Sequence, residues 1–261
     1  KGLAISGYYP IPEYRECGDL DCYLSTTKAN GEFVCRYDDG NEIAAKIGAK
    51  VDIGFYKHSH INYKGLMVEN HAFCTAIRGS RDRKALERHL QHLLATKPST
   101  PIEGTRLMRP CADFNALFLT AHSFGHFLTE GIKLRHILDW ALFLKAEQEN
   151  LDWERFYALC EKYEMRAFVD CSTALAVEIF GIEIKSPMVV AQSPYTERVL
   201  SSVLNDNNSV FSQNVGAWTK RKMLIKNLFA SRWKYESFSN QGILSKFITL
   251  VWGYLTHPEE D

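Results

Sequence analysis

Arg15-Glu-Cys-Gly-Asp-Leu-Asp-Cys-Tyr-Leu24 is the stretch on which the reading of this chain turns. From Asp19 to Leu24 it reads as a strand, and side chains two apart leave a strand on the same face. Asp19 and Asp21 are therefore aimed at one place. Two carboxylates sharing a site repel each other unless a cation lies between them, and hard oxygen ligands suit Mg²⁺ that arrives with substrate phosphates. The plain alternative is a Gly-Asp turn followed by an edge strand with one exposed acid.

Outward from this stretch, the first 75 residues are rich in Gly, Tyr and turn-forming residues. Lys1 to Gly7 reads as the end of a loop and a short helix. Gly31 to Tyr37 reads as a second extended segment, closed by the turn signal Asp38-Asp39-Gly40. Asn41 to Ile53 places Ile43, Ala44, Ile47 and Val51 near helical spacing, weakened by Gly48. Leu66 to Phe73 reads as a further strand. Ser80 onward changes character: Ser80 is a good N-cap, and Leu86, Leu90, Leu93 and Leu94 form an apolar stripe that Lys97-Pro98 stops. Pro98 to Pro110 reads as a linker, and helices are expected at about 111–129, 132–147, 152–163, 165–180, 195–204, 217–231 and 241–255. The expected fold is α+β: a small mixed-sheet domain over 1–79, then an all-helical domain over 80–261. Because the chain starts at Lys1 rather than Met, an upstream segment is expected as well.

Composition narrows the function classes. Of the 261 residues, 31 are Lys or Arg and 31 are Asp or Glu, so no global field favours nucleic acid or a membrane surface. Seven scattered cysteines without a CxxC pair argue against a disulfide framework and against a cysteine-rich zinc site, which leads to an expected cytoplasmic location. No apolar run approaches the roughly 20 residues of a spanning helix.

Five elements in order carry a resemblance: Lys1-Gly2; Tyr9-Pro10 with Arg15; Gly18-Asp19-Leu20-Asp21; Val68-Glu69-Asn70-His71; and Leu134-Arg-His-Ile-Leu-Asp-Trp140. Together they resemble a family of uncharacterised bacterial nucleotidyltransferases within the DNA polymerase β-like superfamily. The resemblance implies a mixed sheet carrying three carboxylates, two from one strand and one from a neighbour. It also implies two Mg²⁺ ions, with Mn²⁺ as the substitute, acting on an NTP, ATP first among them, and on an acceptor hydroxyl of unknown identity. One ion neutralises the leaving pyrophosphate and the other activates the acceptor.

For the third acid the choice is Glu69, since an acid between apolar residues on a short strand is costly unless it meets a cation. The family pattern also places an acid there, followed two residues later by His. Asp52 is the second choice, read as a solvent-facing residue at a helix end. His71 shares a face with Glu69 and is an accessory candidate. Lys1, Gly2, Arg15 and Gly18 are the expected phosphate contacts, although the superfamily's usual Gly-Ser turn is replaced by Lys1-Gly2 and lies further from the acids. His58 and His60 read as polar loop residues close to the substrate.

Two features point elsewhere. His122 and His126, four apart on one helix, could face a metal with Asp139, which would make a metal hydrolase; against this, the flanking residues are aromatic and no HExxH is present. The basic segment from Trp218 to Lys234 could bind an anionic surface or nucleic acid, but reads more simply as a solvated helix face. A nucleotide-binding or regulatory module without turnover is the remaining alternative to the enzyme.

Overall fold

The computed structural model describes residues 2–77, 81–129, 131–189, 193–205 and 231–239. The chain divides into two compact units, one up to Phe118 and one from Leu119 onward. The division expected after residue 79 falls on residues 78–80, outside the described ones.

The first unit is organised by a four-stranded mixed sheet. Its strands are β1 (Leu20–Cys22), β4 (Lys50–Asp52), β5 (His58–Tyr63) and β6 (Leu66–His71), in the order β1-β6-β5-β4. β1 runs parallel to β6, whereas β5 is antiparallel to both β6 and β4. A separate hairpin pairs β2 (Ser25–Thr27) with β3 (Phe33–Cys35), the latter inside the expected extended segment.

Alternation along the strands gives this sheet two different faces. Leu20, Cys22, Val68, Asn70, Ser59 and Ile61 share one of them by register. That face meets helix α2 (Tyr37–Lys46): Asn70 Nδ2 donates to Tyr37 O and to Asn41 Oδ1, both at 2.9 Å, and Ser59 Oγ donates to the same Asn41 oxygen. The other face carries Asp21, Glu69, His71, His58 and His60.

Two expectations are corrected here. Asp38-Asp39-Gly40 is not a turn but the start of α2, where the acids sit in the first turn and complement the helix dipole. Gly40 is needed for contact, since a Cβ there would lie 2.9 Å from Asn70 Nδ2 and 2.6 Å from Leu24 Cδ1. The helix ends before Gly48, whose φ of +82° suits glycine, so Val51 and Asp52 belong to strand β4 rather than to a helix end. His58 to Tyr63, expected as loop, is a full strand. It joins β6 through Lys64-Gly65, a two-residue turn with φ of +52° and +83°.

Helix α1 (Gly2–Ser6) precedes the sheet, with Ile5 fully buried. After the sheet, α3 (Arg81–Thr96) buries Leu86, Leu90 and Leu93 as its stripe predicts, and Glu87 besides. Glu87 caps the chain leaving β6: its carboxylate accepts from Cys74 N at 2.9 Å, Thr75 N at 2.7 Å and Thr75 Oγ1 at 3.0 Å. The expected linker contains a short antiparallel pair, β7 (Thr100–Pro101) with β8 (Met108–Arg109).

Helix α4 (Ala112–Thr129) leads into the second unit, which continues with α5 (Leu134–Glu147), α6 (Trp153–Lys162), α7 (Arg166–Phe180) and α8 (Thr196–Asn205). These match five of the expected helices. Phe127, Ile137, Phe143, Leu144, Phe168 and Leu175 are buried in its apolar core, and Trp140 Nε1 ties α5 to α7 by donating to Thr173 Oγ1 at 2.9 Å. A further helix, Arg232–Phe238, bonds back to α4 through Tyr235 OH, which donates to Leu128 O at 2.7 Å. The helices expected at 217–231 and 241–255 lie outside the described residues, apart from Ser231. Among the described residues no helix is long and apolar enough to cross a membrane. All seven cysteines are free.

Candidate functional site

Register brings the polar residues of the sheet together. Asp21 on β1 pairs with Glu69 on β6, Glu69 pairs with His60 on β5, and His71 pairs with His58. Residues far apart in the chain thus become lateral neighbours on the face away from α2. The parallel β1–β6 pairing is what sets an acid beside an acid.

His71 occupies the point between them. Its Nε2 lies 3.2 Å from Asp21 Oδ1 and 3.3 Å from Glu69 Oε2, while Nδ1 donates to Phe73 O at 3.2 Å. A carbonyl only accepts, so Nδ1 carries a proton, and a proton on Nε2 as well makes the ring a cation held by two carboxylates. Burial opposes that charge, yet the hydrogen bonds to Asp21 and then Glu69 outweigh it and lift the His71 pKa above its usual value. Glu69 answers in the opposite sense. Its hydrogen bond with His71 holds the carboxyl below the usual range, in spite of burial and of the neighbouring Asp21 charge.

Glu69 turns its other oxygen toward β5. Oε1 lies 3.7 Å from His58 Nε2 and 3.6 Å from His60 Nε2, and the two nitrogens are 3.2 Å apart. Burial pushes the His58 pKa down to about 4, so this ring is neutral at physiological pH. Phe55 stacks on His58 with centroids 5.5 Å apart and meets His60 edge-on at 5.0 Å. Two sets of three potential ligand atoms therefore converge within 4.8 Å among the described residues, Asp21–Glu69–His71 and His58–His60–Glu69, with Glu69 common to both.

The other expected site residues are placed as follows. Asp19 sits half-buried just before β1 and belongs to neither convergent set. Asp52 is exposed on β4 beside His60, with Oδ1 accepting from Gly54 N at 3.0 Å. Arg15 is buried, and its Nη1 donates to Cys17 Sγ at 3.2 Å. That guanidinium packs against Gly2, where a Cβ would come within 2.9 Å of it. Gly18 is exposed with open space around it. Lys1 lies outside the described residues.

In the second unit, His122 and His126 touch each other with ring centroids 4.4 Å apart, and His136 joins them at 6.5 and 6.1 Å. Asp139 is buried nearby in sequence, yet His122, His126 and Asp139 do not form a convergent set among the described residues. Burial presses the His136 pKa down to about 4, while its Nδ1 accepts from Lys133 N at 3.1 Å. In the basic segment, Trp218, Lys220, Arg221, Lys222, Lys226 and Phe229 lie outside the described residues. Arg232 pairs with Glu236, and Lys234 is buried over the Phe127 ring at 4.8 Å.

Sequence reasoning missed β5 as a strand, and with it the meeting of His58 and His60 with Glu69. The His-x-His spacing was the available signal, since on a strand it puts both rings on one face. Among known proteins, a family model described as an uncharacterised nucleotidyltransferase matches residues 1–181. No curated protein and no solved structure matches the chain.

Proposed function

Because the chain belongs to this nucleotidyltransferase family, we propose that it transfers a nucleoside monophosphate from an NTP, ATP first, to a hydroxyl-bearing acceptor with release of pyrophosphate, using Mg²⁺ or Mn²⁺. The observation that supports this reading most is the parallel pairing of Asp21 with Glu69. Two carboxylates from adjacent strands converge on one cationic point, now taken by His71 Nε2 at 3.2 and 3.3 Å. That donor set, hard oxygens with one charge-compensating neighbour, fits a divalent ion.

In this reading Asp19, Asp21 and Glu69 hold the ions. When bound, such ions neutralise charge on the triphosphate and lower the pKa of the acceptor hydroxyl. The chain's own groups do the rest. Glu69, whose hydrogen bond with His71 holds its pKa low, stays ionised at neutral pH, and in this reading it orients the attacking hydroxyl and accepts its proton. His71, hydrogen-bonded to both carboxylates, would keep them aligned for the ions. Gly18, exposed and without a side chain, leaves room for phosphate close to the backbone before β1. Gly2 and Arg15, packed together, with Lys1 ahead of them, supply the remaining phosphate contacts.

Pyrophosphate release measured with each NTP over a panel of acceptors tests the proposal. Release by wild type that equals release by the Asp19→Asn, Asp21→Asn double variant sinks it. The second reading, a nucleotide-binding module without turnover, draws on His71, which already supplies positive charge between the acids. Saturable Mg-NTP binding by calorimetry, with no product from any acceptor, selects that reading.

A further inference from the structure

Glu69 has two oxygens, and the transfer reading uses the one that faces Asp21 and His71. The other, Oε1, completes a separate triangle with His58 Nε2 and His60 Nε2, whose sides are 3.2, 3.6 and 3.7 Å. The circle through these three atoms has a radius of about 2.0 Å, the length of a zinc–nitrogen or zinc–carboxylate bond. An ion near the centre of the triangle therefore reaches all three ligands with no side chain moving. A hydrogen bond between the two rings accounts for the 3.2 Å side alone. Register and the His71 bond to Oε2 set the carboxylate in place, and its Oε1 stands almost equally far from both nitrogens.

The surroundings suit an ion as well. The side chains of His58, Glu69 and His60 are 16, 19 and 29% exposed, so the triangle opens to solvent on one side and leaves coordination positions for water or a substrate oxygen. Phe55 lies flat against one ring and edge-on to the other, which limits their rotation. The donor set itself decides the kind of ion. Two imidazoles and one carboxylate suit borderline first-row metals, whereas Mg²⁺ and Ca²⁺ prefer oxygen ligands throughout.

We propose that His58, His60 and Glu69 form a binding site for a divalent first-row transition ion of the Zn²⁺ type, next to the Asp21–Glu69 carboxylate pair and joined to it by the shared Glu69. Binding takes Nε2 of both rings as ligands, so each ring keeps its proton on Nδ1. His60, the more exposed ring, carries the Nε2 proton shared with His58 in the metal-free protein and passes it to its own Nδ1 through solvent.

The test uses the full chain stripped of metal, without nucleotide. Calorimetry with Zn²⁺ is expected to show one equivalent bound, undisturbed by excess Mg²⁺. Co²⁺ is expected to give visible ligand-field bands at the same stoichiometry. In wild type, ¹⁵N spectra of the imidazoles should show Zn²⁺ shifting the Nε2 resonances of two histidines, a readout that needs no variant. His60→Gln, checked by circular dichroism for an unchanged fold, should weaken binding beyond the roughly 10–100-fold that loss of a mere outer-shell partner costs. Asp19→Asn should leave Zn²⁺ binding intact. No stoichiometric Zn²⁺ in wild type, or equal binding in the His58→Ala, His60→Ala double variant, overturns the proposal. Zn²⁺ bound at this triangle with no transfer from any NTP removes the transfer reading and leaves the site. Transfer with Mg²⁺ but no Zn²⁺ binding does the reverse.

Discussion

Among the described residues, two groups of three histidines, one on the sheet of the first unit and one on the helices of the second, are built differently. His58, His60 and His71 each reach a carboxylate, at 3.2 to 3.7 Å. His122, His126 and His136 meet mainly as rings, with centroids 4.4 to 6.5 Å apart. Strand register lays residues from three different segments side by side, so acids and imidazoles can be interleaved atom by atom. A helix face offers only its own neighbours three and four residues away, here two rings. The difference separates a cluster in which imidazoles alternate with carboxylates from one in which imidazoles lie against one another.

The sharpest break of this comparison is in turnover. Asp21→Asn or Glu69→Gln is expected to lower pyrophosphate release by roughly 10²–10³-fold or more, the loss that follows removal of one charge-stabilising group at a transition state. Comparable activity in these variants would place the chemistry elsewhere. Next in size is a test of whether any buried acid on the sheet unit behaves this way. Glu87→Leu strands the Cys74 and Thr75 amides and should cost on the order of 3 kcal/mol in denaturant unfolding, with kcat of the folded fraction unchanged. A fall in kcat without a fall in stability would erase the distinction between Glu69 and Glu87.

The third test is pH, read on metal-free protein as wild-type minus variant stability. His71 has a raised pKa in the folded state, so its contribution is fully present below about 6.5, the usual histidine value, and is lost as pH rises through the folded pKa. His136, held down to about 4, does the opposite: its contribution is present above 6.5 and is lost as pH falls from there toward 4. Thermal melts of His71→Asn and His136→Gln from pH 4 to 9 should therefore trend in opposite directions, and parallel trends would count against the contrast. The smallest effect belongs to His122→Ala and His126→Ala, which are expected to change pyrophosphate release by less than about two-fold, since neither ring reaches a carboxylate in a convergent set.

How much of this the sequence discloses follows the physics of each element. The helices of the second unit were legible because an apolar stripe and a glycine stop, such as Gly181 with φ of +62°, are local signals. Strand β6 was legible for the same reason, and Glu69 stood out as an acid among apolar residues. Strand β5 was not, because His-Ser-His-Ile-Asn-Tyr lacks apolar alternation; both faces of that strand are occupied by polar contacts, Asn41 on one side and Glu69 on the other. Asp38-Asp39-Gly40 misled because turn chemistry and a helix first turn use the same residues. The pairing of β1 with β6 joins positions 48 residues apart in register, and no local pattern encodes it.

The two-residue turn at Lys64-Gly65 makes the hairpin intolerant of a change in length. Eight residues separate His60 from Glu69, and the parity of that count decides which way each side chain looks. One residue added to β5 after His60 would turn His58 and His60 toward Asn41 and deliver Ser59 to the acids, so a single indel would dismantle the cluster and the α2 contact together. A matching insertion in β6 before Glu69 would restore both. Among descendants of such a sequence, substitutions should therefore accumulate within the hairpin long before its length drifts.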